Sequence, residues 1–429
     1  MRAGSAALPG NSQPRRTAYD AAPLPPPAPG RRHRPDYWLL VTTLALLAVG
    51  VIVIFSISPA LSALMKVSSS YYTVKQLTAI GLGLAALVVA SRIPLEKWRL
   101  LARPLMILAG LATLLAIVMP VNPNYPAHRW VRLGAFSFQS VELLKFATLV
   151  WLAGMLAERV QNGTIKNVQV TLKPVLIALA AIGVVVAGIQ SDLGSTGVIV
   201  VMMGAMLFVA GMPLKRLAMI VGVIIIGVVL SVVAIPYRRE RLMTYLHPSA
   251  DCQTAGYQAC QALIAVGSGG MAGLGLGSSV QAYGYLPEAS NDSIFAIYAE
   301  KFGFIGAIIL LAVFVGLFTR LKTTAERAPD AFSRLLVTGI FAWLSVQSLI
   351  NIGAMIGVLP LKGITLPFIS YGGTSVVFAL AAIGLVFQIS HYTSHDRGRQ
   401  QSNTGDAHAY RPDSRRVRGA YHPTAGSRP

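Results

Sequence analysis

Residues 286 to 296 of this 429-residue chain read Leu-Pro-Glu-Ala-Ser-Asn-Asp-Ser-Ile-Phe-Ala, setting two carboxylates, Glu288 and Asp292, against an apolar run. A carboxylate beside hydrocarbon is costly to keep and marks a candidate site. The chemistry open to it is proton transfer. As the N-cap of a following helix, Asp292 would be held in its charged form. Partly desolvated near Glu288, it would instead gain proton affinity towards the working range of a general base. The sequence leaves both roles open.

Other charged side chains sit at comparable places. Arg238, Arg239 and Arg241 come just past the end of an apolar span, where guanidinium groups either hold a diphosphate bidentately or snorkel to an interface. Glu142 and Lys145 share one helix face and can pair, which lowers the cost of burying either, whether in a structural ion pair or in a site. Asp192, in Gln190-Ser191-Asp192-Leu193-Gly194, lies in a tight turn where it can cap the next helix or serve chemistry. Lys75, Glu300 and Lys301 are further charges within or beside apolar runs. Lys362, Thr365 and Ser370 belong to a stretch holding Pro360, Pro367, Gly372 and Gly373. Such broken backbone is tolerated at membrane depth only where protein buries it or it lines a cavity.

The elements that must position these groups are membrane helices. Hydrophobic residues make up 54% of the chain and charged ones 12%, and apolar stretches of about 20 residues recur along it. We expect an all-α polytopic membrane protein of about ten spans, near 37–57, 72–91, 100–119, 141–157, 172–190, 194–211, 214–235, 292–318, 334–357 and 370–391. The first is not read as a cleaved signal peptide, because a polar, proline-rich stretch precedes it and no small-residue cleavage site follows. Residues 236–291 then form a large extracytoplasmic loop between helices 7 and 8, and long loops tend to be functional. No internal repeat is visible.

Lys and Arg set the orientation. The two tails and the alternate loops hold 26 of the 36 basic residues, so both termini are expected on the cytoplasmic side of the plasma membrane. The net charge of +20 either fixes topology alone or also contacts an anionic inner leaflet. Nothing resembles a nucleic-acid reader, and no nucleic-acid partner is expected. Tails 1–36 and 392–429, rich in Pro, Gly, Ser and Arg, are expected to be disordered.

Within the long loop, Gly267, Gly269, Gly270, Gly273, Gly275 and Gly277 superficially suggest a dinucleotide fingerprint. No strand precedes them and the loop faces outward, so closely packed or re-entrant backbone is the better reading. Cys252 and Cys260, the two cysteines of the chain, are either bridged or free thiols there. With no nearby His they do not make a zinc site.

Four segments carry a resemblance to a known family. They are Arg129-Trp-Val-Arg-Leu-Gly134 with Phe138-Gln139 and Glu142-Leu-Leu-Lys145; Gln190 to Gly194; Tyr285 to Ala296; and Gly363 to Ser375. Over roughly residues 37–391 the chain resembles the SEDS family (shape, elongation, division, sporulation) of FtsW, RodA and SpoVE. Gly275 to Gln281, Leu286 to Ala289 and Leu361 to Pro367 look more like its division branch than its elongation branch. The resemblance implies a glycosyltransferase that polymerises lipid II into peptidoglycan strands on the outer face of the plasma membrane, at the division septum. It further implies a class B penicillin-binding protein transpeptidase and other divisome proteins as partners. By the same analogy Asp292 is the catalytic base, and Arg129, Trp130, Glu142 and Lys145 line the substrate cavity. Asp192, Arg238, Glu288, Lys362 and Ser370 are taken with them as substrate-binding candidates. No motif demands a cofactor, although a divalent cation, Mg or Mn, could bridge Asp292 and a diphosphate. The chain has Ser290-Asn-Asp-Ser293, Ser140-Val-Glu142 and Gln190-Ser-Asp192 where the family usually has His-Thr-Asp-Phe, Pro-Ser-Glu and Gln-Pro-Asp. The acidic residue is kept in all three. Two other readings are a flippase for lipid-linked sugars, in which these charges line a path, and a non-catalytic scaffold in which Asp292 is a structural cap.

Overall fold

A computed structural model describes residues 31–32, 34–119, 128–133, 136–234, 236–246, 252–254 and 256–393. Nearly all of both tails therefore lies outside the described residues. The chain order is β1 (Arg31–Arg32), α1 (Tyr37–Leu64), α2 (Tyr71–Arg92), α3 (Leu95–Val118), β2 (Trp130–Leu133), β3 (Phe136–Gln139) and α4 (Ser140–Gln161). Next comes a span over Val168–Ile189, in which α5 (Lys173–Ile182) is flanked by the π-helical turns Val168–Leu172 and Gly183–Ile189. There follow α6 (Leu193–Val209), α7 (Leu214–Ala234), α8 (Pro236–Leu246), α9 (Tyr257–Ser268), α10 (Ile294–Glu326), α11 (Ala331–Met355), α12 (Gly373–Ser390) and β4 (Tyr392–Thr393).

Among the described residues nine helices are long and apolar enough to cross a membrane, and α6, at 17 residues, is a shorter apolar one. Together they match the ten expected spans. Sequence also set their starts: Asp36, Asp192 and Asp330 cap α1, α6 and α11 by accepting from the backbone N–H of Trp38, Ser195 and Ser333. The central helices are α4, α11 and α12, whose faces are buried almost all round, whereas α7 buries only Ile220.

The connections alternate between two ends. At one end Arg320 pairs with Asp36 at 2.9 Å, Arg99 with Asp330 at 2.5 Å, and Gln388 donates to the Ile93 carbonyl. At the other end the α3–α4, α5–α6, α7–α10 and α11–α12 connections converge, and this end carries the candidate site. The α3–α4 connection contains an antiparallel hairpin, β2 with β3, that pairs Trp130 with Gln139. The sequence reading did not foresee it.

The 236–291 segment is more ordered than a loop, since it holds α8 and α9. Its glycine run is close-packed at two of its six glycines: a Cβ on Gly269 would stand 2.1 Å from the Ala299 carbonyl oxygen and one on Gly273 2.1 Å from that of Lys301, whereas Gly267, Gly270, Gly275 and Gly277 meet nothing within 4 Å; across the seam, a Cβ on Gly303 would stand 2.4 Å from the Gly273 nitrogen. Gly273 and Gly303 have positive φ, which a side chain resists. Gly303 breaks α10, and the freed main chain there bonds the run through Leu274 to Glu300 and Gly275 to Lys301. Side chains complete the seam. Buried Glu300 accepts from the Ser279 hydroxyl and from the N–H of Val280 and Gln281, and Lys301 donates to the Leu276 carbonyl. Cys252 and Cys260 are disulfide-bonded.

Candidate functional site

Asp292 stands in the turn before α10, partly exposed. The N-cap position of that helix belongs to Ser293, whose hydroxyl donates to the Pro287 carbonyl and accepts from Gln258 of α9. Asp292 therefore precedes the cap rather than forming it. Its turn is tightly held: Glu288 adopts positive φ and accepts from the Asn291 amide at 2.5 Å, and the Asn291 and Ser293 N–H groups both donate to the Glu288 carbonyl.

The broken segment between α11 and α12 clasps this turn from the other side. The Ser370 hydroxyl accepts from the Leu366 N–H at 2.7 Å and donates to the Asn291 carbonyl at 2.6 Å, and the Tyr371 N–H donates to the Ser290 carbonyl. Phe368, at positive φ, is buried there. This is the protein-buried backbone that the Pro and Gly content required. Burial first, then the neighbouring Tyr71 and Tyr72, push the Tyr371 hydroxyl up to about 12, so it remains a neutral group.

Arg129 reaches the same place from the α3–α4 connection. Its guanidinium donates to the carbonyls of Gln190 at 3.2 Å and Ser191 at 2.7 Å, which locks it to the turn before α6. The remaining nitrogen, Nη1, faces Gly363, where the position a Cβ would take lies 4.0 Å from it and 3.5 Å from Asp292 Oδ2. A carboxylate and a guanidinium thus flank one point above an exposed glycine. The α6 N-terminus abuts the same segment, since a Cβ on Gly194 would meet the Lys362 carbonyl oxygen at 2.8 Å.

Beneath this point runs a buried polar chain. Lys145 pairs with Glu142 at 2.8 Å, donates to Gln347 Oε1 at 2.9 Å and sits 5.1 Å from the Trp343 ring centroid. Gln347 also accepts from the Trp343 indole and donates to the Thr365 carbonyl, while the Thr365 hydroxyl meets that of Ser375 at 3.1 Å. The chain connects α4 through α11 to the segment beside Asp292.

The predicted residues therefore divide. Asp292, Arg129, Glu288 and Lys362 belong to the converging turns. Glu142 and Lys145 form a buried ion pair below them. Trp130 is 37% exposed beside Arg129. Asp192 and Ser370 are buried, and the bonds given above are capping and main-chain ones. Arg238 donates to the Ser231 hydroxyl at the end of α7 and to the carbonyl of Ala187, three residues before the Gln190 that Arg129 holds. Sequence reasoning missed Gln347 and Asn351, the latter donating to the main-chain oxygens of both Asp292 and Ile364. Their one signal was two amides four residues apart on a single face of an apolar helix.

Among curated proteins, the chain is 38% identical over 365 residues to a Coxiella burnetii protein named probable peptidoglycan glycosyltransferase FtsW, covering 84% of this chain and 97% of that one. In structure it matches a chain of a peptidoglycan synthase complex solved to describe the coordination of polymerization and crosslinking, with a TM-score of 0.68 and 28% identity over 84% of this chain and 99% of that one. The Thermus thermophilus rod shape determining protein RodA matches with a TM-score of 0.61 and 27% identity, over 84% and 98% of the two chains. The model of the cell cycle protein family FtsW/RodA/SpoVE fits residues 37–395, which include every turn that builds the site, and the chain belongs to that family.

Proposed function

We propose that this protein is a peptidoglycan glycosyltransferase that polymerises lipid II, and that Asp292 is its general base. The observation that carries this reading is the placing of Asp292 Oδ2 and Arg129 Nη1 around one point above Gly363. The Asp292 carboxylate takes the proton of the acceptor sugar's 4-hydroxyl as that oxygen bonds to C1 of the donor. The bond from C1 to the lipid diphosphate breaks with inversion, and the diphosphate leaves with the electron pair. Arg129 supplies positive charge for that leaving group, an electrostatic role that needs a fixed donor. Its two carbonyl bonds supply the fixing. Glu288 and Lys362 are assigned to the rim that holds substrate, and Trp130 to a face on which a sugar stacks.

Among the described residues no three His, Cys, Asp or Glu side chains cluster as a metal site. Asp292 would be the side chain to hold an Mg or Mn ion together with diphosphate oxygens and water, and the ion would supply further charge neutralisation. The family, the ten apolar helices and the basic alternate connections support a plasma-membrane protein with both termini cytoplasmic, acting at the septum. The synthase complex that resembles this chain supports a crosslinking partner, which we assign to a class B penicillin-binding protein alongside other divisome proteins.

The test is glycan polymer formation from lipid II by the purified protein with a matched transpeptidase. Wild type should make polymer, and Asp292→Ala, folded equally well, should lose it by about 10²–10⁴-fold, the usual weight of a general base. Equal polymer from both would overturn the role of Asp292. None from either would move the reading to a flippase or scaffold.

A further inference from the structure

Far from Asp292, a cavity of about 500 Å³ opens on the flank of the bundle between α3, α4 and α5, lined by Met106, Trp151, Gln169, Lys173, Ile177 and Ala178 among others. Its volume is within the range of small-ligand sites, roughly 300–1,000 Å³. The local sequence explains the gap. The π-helical turn Val168–Leu172 and Pro174 widen the start of this span, and α5 buries only Val175 and Ile182 of its ten residues. The cavity follows the α4–α5 connection, at the end of the bundle opposite the α5–α6 turn that Arg129 holds.

The walls are apolar except at that end, where Gln169 and Lys173, one helical turn apart, stand together. The connection leading to them adds Lys166, whose carbonyl accepts from Arg216, with Lys215 beside it. Among the described residues no acidic side chain lines the cavity. A groove for one hydrocarbon chain, closed at a membrane rim by a cation and an amide with more cations behind, is complementary to a phosphodiester on an acyl chain. It offers no carboxylate to a choline or ethanolamine cation. Basic pockets between membrane helices recognise anionic head groups on this principle.

We propose that this cavity is a binding site for an anionic phospholipid, its phosphate on Lys173 and Gln169 and one acyl chain along Trp151 and Ile177. The site is independent of the glycosyltransferase reading and stands or falls without it. It would give the basic α4–α5 connection a use beyond setting topology.

The experiment is native mass spectrometry of the full chain in detergent, titrated separately with dioleoyl-phosphatidylglycerol and dioleoyl-phosphatidylcholine. We expect retained phosphatidylglycerol well above phosphatidylcholine. Lys173→Gln should lower phosphatidylglycerol retention about fivefold, the effect of about 1 kcal/mol for one basic side chain near an anionic head group. Ala178→Trp, which fills the groove, should abolish it, with Ala178→Leu as the milder filler if the first fails to fold. Lys322→Gln, an exposed cation on α10, should change nothing. Equal retention of the two lipids, an equal effect of Lys322→Gln, or retention that survives both groove-filling variants would overturn the site.

Discussion

Asn351 of α11 donates to the main-chain oxygen of Asp292 at 2.7 Å and to that of Ile364 at 2.6 Å. One buried side chain therefore joins the two segments that flank the point above Gly363. Neither segment is regular structure, so nothing in a helix or sheet ladder would fix their separation. The amide does so from a rigid helix, which suits a group that must hold a reacting pair in register.

Asn351→Ala leaves two buried carbonyls without their donor. We expect kcat to fall about 10²-fold through misplacement of Asp292, with KM for lipid II little changed. Asn351→Asp should be worse, since it sets an acceptor against two acceptors. Single-turnover polymerisation with both variants checks the order, and equal kcat for wild type and Asn351→Ala would remove Asn351 from the positioning role.

The Glu142–Lys145 pair makes a second test. Both side chains are buried, and Lys145 also holds Gln347. Lys145→Met should destabilise by about 3–5 kcal/mol because it leaves a buried charge uncompensated. The double change Glu142→Gln with Lys145→Met should recover much of that loss. Unfolding midpoints in detergent measure both, and a double variant no more stable than the single one would show that the charges act separately.

The glycine seam predicts a steric asymmetry. Gly273→Ala would drive a Cβ against the Lys301 main chain at a φ of +82°, so the protein should lose its folded, monodisperse form. Gly267→Ala, in α9, meets nothing within 4 Å. It should be neutral or stabilising by up to about 1 kcal/mol, the helix propensity gained. Size-exclusion profiles and melting temperatures separate the two.

How much of this was legible in the sequence depends on the physical signal each feature leaves. The ten apolar helices were, because hydrocarbon thickness forces runs of about 20 residues. Asp292 and the Glu142–Lys145 pair stood out because charge is rare among apolar neighbours. Gln347 and Asn351 carry no charge and leave little trace, although they connect the site. The hairpin Trp130–Gln139 was missed because four-residue strands give too short an alternation to read. Arg238 reads from its place after a span as either a diphosphate ligand or a snorkelling cation, and its acceptor on Ala187, 51 residues away, is a tertiary contact that no local pattern encodes. Ser370 was read as a substrate-binding residue; its hydroxyl bonds run to Leu366 and Asn291, so what it holds is the backbone beside Asp292.

The disulfide lies close enough to the site to be felt there. Cys260 is in the first turn of α9, two residues after Gln258, and Gln258 donates to Ser293 beside Asp292. Cys252→Ser with Cys260→Ser frees the chain before α9, and the loss of a short closed loop should cost about 2 kcal/mol of stability. Part of that loss should fall on the Asp292 turn. We therefore expect wild type treated with reductant to match the double variant, with lower kcat and faster amide hydrogen exchange over residues 257–293. The variant itself should be indifferent to reductant. Unchanged exchange over 287–293 in the variant would confine the disulfide to local order in the α8–α9 connection and break its link to the site.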